Sequence, residues 1–110
     1  MKKNAYYKWL TDDYRAWTRT LNVPVDAIRE AGFNVKNPVF AEIVDENQIR
    51  LTQNGSSPDI VRTVNGWETP NGDKQYRLGV QKLFNEDVNR VVLVPDSDYN
   101  CIDVIGTFEC

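Results

Sequence analysis

The chain has 110 residues, 41% of them hydrophobic and 26% charged, with a formal net charge of −3. Those values belong to an ordinary globular chain of one domain, or of two very small ones sharing a core. The negative balance speaks against non-specific nucleic-acid binding, which depends on neutralising phosphates.

No apolar run reaches the length of a membrane span, and Met1-Lys2-Lys3 leads into aromatics, not into a signal-peptide core. The expected location is cytoplasmic, without membrane contact. Residues 4–18 are aromatic and basic. Tyr6, Leu10, Tyr14 and Trp17 fall four, four and three apart, the spacing of one helical stripe. Thr11-Asp12-Asp13 offers a different helix start, with acids at the positive end. The aromatics here serve in one of two ways. They form a stacking surface for bases, with Lys8, Arg15 and Arg19 on phosphates, or Trp9, Tyr14 and Trp17 are core or dimer contacts.

Residues 19–23 suit a strand, because β-branched and apolar side chains fit a pleated surface. Pro24 has no amide hydrogen for a ladder, and its fixed φ suits the first turn of a helix. The helix is expected over 25–31, with Val25, Ala27, Ile28 and Ala31 inward and Asp26, Arg29 and Glu30 in water. Gly32 stands where a helix end needs a residue tolerant of positive φ. After the turn at Asn37-Pro38, residues 39–44 and 49–52 are expected to form a hairpin around 45–48.

Strand, short helix and hairpin in that order resemble the AbrB/MazE swapped-hairpin family. The likeness rests on Val23-Pro24, Ile28-Arg29, Gly32-Phe33, Val39, Glu42-Ile43-Val44 and Ile49-Arg50-Leu51, within residues 19–51. It implies two protomers interlocked in one barrel, and a DNA-binding regulator or antitoxin. Arg29 matches a position where the family carries a basic DNA contact, and a two-fold dimer would present it twice. The departures are Thr20, where the family often has Arg four residues before the Pro, Arg19 one position off, and about one extra residue before the return strand. On the residues alone, Arg29 can equally pair with Asp26 or Glu30, a surface pairing of small value.

The turn formers 52–58 mark the best boundary, giving an expected region 1–54 and a β-rich region 59–110 packed with it. Residues 60–64 read as a strand, Asn65-Gly66 as a hairpin turn, and 67–69 and 74–78 as further strands. Residues 79–87 are ambiguous, with Val80, Leu83 and Phe84 on one helical face. Residues 91–94 are a buried strand stopped by Pro95. In 101–110, Ile102, Val104 and Phe108 alternate with Asp103, Thr107 and Glu109. Cys101 and Cys110 are no disulfide framework; Cys101 reads as small core packing and Cys110 as a terminal thiol.

Charge is uneven: residues 1–50 carry eight Lys/Arg against seven Asp/Glu, and residues 51–110 carry five against nine. The chain has no histidine, so the usual base near neutral pH and the commonest metal ligand are missing. No Gly-rich phosphate loop or nucleophile elbow is present. Asp96 and Asp98 lack the later ligands of a calcium loop, and the pairs Asp12-Asp13 and Glu86-Asp87 read as solvated. No catalytic residue, metal ligand or cofactor is expected.

The expected fold is mainly β with one or two short helices: an N-terminal swapped-hairpin, AbrB-like barrel plus a small antiparallel sheet. The expected function is DNA-binding transcriptional regulation as a homodimer, through Lys8, Arg15, Arg19, Arg29 and Lys36. The alternative is a non-enzymatic β-rich interaction protein, either a small viral structural subunit or an inhibitor of a host enzyme. Its protein partner would meet the acidic C-terminal half.

Overall fold

A computed structural model describes residues 4–13, 18–34, 36–64, 66–68, 70–71, 74–80, 83–84 and 88–107. In chain order the elements are β1 (Tyr6–Trp9), β2 (Thr11–Asp13), β3 (Thr18–Val23), α1 (Val25–Glu30), β4 (Val39–Asp45) and β5 (Gln48–Thr52). They continue with β6 (Ile60–Val64), β7 (Trp67–Glu68), β8 (Lys74–Gly79), β9 (Arg90–Asp96) and β10 (Cys101–Thr107). The protein is thus mainly β, with one short helix among the described residues.

Six strands form one sheet in the order β1-β9-β10-β5-β4-β6, and four form a second in the order β2-β3-β8-β7. All pairings are antiparallel. Both edges of the first sheet run on into the edges of the second. β1 passes into β2 through Leu10, whose amide still donates to Asn89 O at 2.8 Å. On the other side, the edge strand β6 is followed in the chain by the edge strand β7. The edge pairs β1–β2 and β6–β7 thus link both sheets into one antiparallel barrel within one chain. The regions 1–54 and 59–110 each supply strands to both sheets.

Alternation along the strands fills the interior. Leu21, Val39, Ala41, Ile49, Leu51, Tyr76, Leu78, Val91, Leu93, Ile102 and Val104 are all buried. The helix closes one end. It starts at Val25 as expected, with Pro24 as its N-cap at φ −61° and ψ 138°, and ends at Glu30, one residue short of the expected Ala31; Ala27 and Ile28 are its buried residues. Gly32 ends it at φ 74°, where any Cβ would be strained. Gln53 pins the following loop, donating to Asn34 O at 2.8 Å and Asn37 O at 3.2 Å. Tyr76 also donates to Asn37 O, at 3.0 Å.

The other end is closed by Val80, Leu83, Phe84 and Val88, all buried. No helix forms there among the described residues. A Cβ on Gly106 would come within 2.9 Å of Val88 Cγ1, so β10 packs against this plug only because Gly106 lacks one.

Three expectations are corrected. In its described part the aromatic stripe is not helical: Tyr6 and Leu10 reach the core from an extended chain, and Tyr14 and Trp17 lie outside the described residues. Asn65 lies outside the described residues, but the strands on either side of it join different sheets and do not pair as a hairpin. Pro95 does not stop β9, which runs on to Asp96 with Pro95 opposite Ile102. β1 begins opposite Leu93, so the donor that proline lacks has no ladder partner on that side.

Candidate interaction surface

The basic residues singled out from the sequence do not share a face. Lys8 is half-buried on β1, opposite Val91 and on the same side of the strand as Tyr6. Arg19 lies at the plug end, where its guanidinium donates to Val88 O and, at 2.6 Å, to Asn89 Oδ1. Arg29 and Lys36 are exposed at the opposite, helix end. Arg29 Nη1 stands 4.0 Å from Asp26 Oδ1. Glu30 turns elsewhere, accepting from Asn4 Nδ2 at 2.9 Å and from the Tyr6 hydroxyl at 2.7 Å. That bond to a carboxylate raises the Tyr6 phenol above its usual pKa of 10.0. Arg15 lies outside the described residues, as do Tyr14, Trp17, Glu86, Asp87 and residues 108–110.

The outer face of the six-stranded sheet collects side chains that the sequence leaves scattered. Directly opposed residues in an antiparallel ladder project to the same side. The register Tyr7↔Val92 and Trp9↔Arg90, with Ile105↔Val92 and Thr107↔Arg90, therefore places these six together. Tyr7 and Trp9 are 63% and 56% exposed. Between their rings lies the Arg90 guanidinium, with its central carbon 5.4 Å from each ring centroid. That is cation–π distance on both sides. The same enclosure leaves Arg90 Nε buried and without a hydrogen-bond partner.

The diagonal corner of this face is acidic. Arg50 on β5 is directly opposite both Asp103 and Glu42. Its Nε donates to Asp103 Oδ1 at 2.9 Å, and its Nη1 is 3.7 Å from Glu42 Oε1. Donating this hydrogen bond to the Asp103 carboxylate raises the Arg50 pKa. This ladder borders a depression of about 460 Å³ that also reaches Asp96, Tyr99 and Cys101. Asp96 Oδ1 accepts from the amides of Asp98 (3.0 Å) and Tyr99 (3.4 Å), so it caps the β9–β10 turn. Among the described residues no group of three His, Cys, Asp or Glu could hold a metal. Cys101 is buried.

Val92, Val94 and Ile105 are half-buried between the two corners. No described element lies over them. Tyr7 and Arg90 were missed as site residues because their meeting depends on β1–β9 register, which no local pattern carries. The available signal was Tyr7-x-Trp9, two aromatics at strand period.

Among the described residues, no helix is long and apolar enough to cross a membrane. Comparisons with protein-family models, curated proteins and solved structures find no match to this chain.

Proposed function

We propose that the protein is a non-enzymatic interaction protein that docks another protein surface through the outer face of its six-stranded sheet. The observation that carries this reading is the exposed Tyr7–Arg90–Trp9 stack. Trp, Tyr and Arg are the side chains that dominate binding hot spots, because each brings a large, stiff contact area with a polar handle. Here they border half-buried valine and isoleucine, the composition of an interface centre with a polar rim. Arg90 is held in place before any partner arrives, which lowers the ordering cost of binding.

The rival reading is a DNA-binding regulator built as a swapped-hairpin homodimer. It draws on Arg29 and Lys36, exposed together at the helix end. Against it stand the formal charge of −3 and the commitment of Arg19 to Val88 and Asn89. Retention on mixed DNA fragments at about 50 mM salt separates the two, since phosphate binding is strongest at low salt. The interaction reading expects no retention. Retention that Arg29→Ala and Lys36→Ala weaken overturns it in favour of DNA.

A further inference from the structure

The docking face is charged unequally at its two ends. Among the described residues, the Trp9 corner carries Arg90 as its charge, while the diagonal corner sets Glu42, Asp96 and Asp103 around the lone cation Arg50. Val94 and Ile105 stand between them, on neighbouring strands near the middle of the sheet. A two-fold axis through that centre exchanges the corners. Two such faces laid together would each place a basic, aromatic corner over the other's acidic depression.

We propose that a second copy of this chain is the occupant: the two six-stranded sheets stack face to face about a two-fold axis near Val94 and Ile105. This rests on the interaction reading above and names its partner. A two-fold interface must be self-complementary, each patch meeting its counterpart twice. The diagonal charge layout meets that condition. A uniformly basic or uniformly acidic face would repel its copy. The depression beside Tyr99 is open, and its acids suit the Arg90 guanidinium with the Trp9 indole beside it. Val92, Val94 and Ile105 of both copies fill the centre, at the roughly 10 Å separation of packed sheets. Size is adequate as well. Six strands spaced about 4.8 Å apart, each roughly 20 Å long, give a projected footprint on the order of 500 Å². Side-chain relief brings that toward the roughly 800 Å² per partner of a standard interface.

The test is sedimentation of the whole chain at micromolar concentration, with thermal melts as the folding control. The wild type should sediment at twice its 12.7 kDa. Arg90→Glu and Glu42→Lys should each weaken the dimer by about tenfold or more, because each sets like charges against each other across the axis. Mixed in equal amounts, the two variants should recover a dimer, since Glu at 90 then meets Lys at 42 while the native pair forms on the other side. Trp9→Ser, at an exposed position, should weaken the dimer without changing any charge. A wild-type monomer overturns the proposal. So does a dimer that neither Arg90→Glu nor Trp9→Ser weakens, or a mixture of charge variants that stays monomeric. Failure of the interaction reading itself is read elsewhere, as DNA retention at low salt.

Discussion

Tyr76 shows how one side chain ties the barrel to its helix cap. Its ring is 1% exposed, and its hydroxyl donates to Asn37 O in the loop after α1. Burial raises the phenol above its usual pKa of 10.0, because the enclosed site disfavours the phenolate. The folded state therefore holds the proton more tightly than the unfolded chain. The stability linked to it is fully present below about pH 10 and falls as pH rises above that value. Tyr76→Phe should cost about 1 kcal/mol near neutral pH, the net worth of a hydrogen bond. Gln53 still serves Asn37 O, so that carbonyl is not orphaned. The same variant should have a shallower alkaline loss. Urea unfolding at neutral pH and above pH 10, wild type beside variant, measures both effects; parallel pH curves would remove Tyr76 as their cause.

Among the elements, the helix was the most legible. Its inward and outward faces follow from a 3.6-residue period over 25–31, and Gly32 marks its end. Ile28→Asp should place an unpaired charge at a site 1% exposed, costing on the order of several kcal/mol. Arg29→Ala, one residue away and in water, should shift stability by only a few tenths of a kcal/mol. Thermal melts of the two variants check the pair, and an Ile28→Asp chain as stable as the wild type would mean the helix faces the other way. The hairpin β4–β5 and strands β6, β8 and β10 were legible too, since their apolar residues alternate between turn formers. The first strand was not, for a geometric reason. Tyr6 and Leu10 are four apart, a spacing that returns to the same face of a helix and of a strand alike. Asn65-Gly66 misled because a turn dipeptide reports local backbone preference and says nothing of which sheet the next strand joins. Arg90 carried no local sign of its site, since Trp9 and Tyr7 reach it only through the register of distant strands.

At the scale of the whole molecule, closure depends on the edge pairs β1–β2 and β6–β7. β1 covers the outer edge of β9, pairing Tyr6 with Leu93 and Lys8 with Val91. Leu93 and Val91 have no exposed surface in the closed barrel. Removing residues 1–10 should open that seam and expose both, and would also delete the Tyr6–Glu30 bond to the helix. The expected loss is several kcal/mol, on the order of 25 cal/mol for each Å² of apolar surface returned to water. Urea unfolding, with an apolar dye to report exposed core, measures it. A truncated chain that unfolds at the wild-type midpoint would show that β1 is not a structural stave.

The same seam sets a constraint on synthesis. The ribosome releases β1 first, yet the strand it must join is among the last to emerge. Until then Tyr7 and Trp9 travel on an extended segment with both edges bare, the kind of strand that finds wrong neighbours. The hairpins β4–β5 and β9–β10 can form as soon as each is made, from contacts close in sequence. The barrel can close only afterwards, in a long-range step of the kind that places β-rich domains at the slow, millisecond-to-second end of folding. A nascent chain stalled before β9 should therefore remain open to proteases at residues 6–13 and become resistant once β9 and β10 have cleared the exit.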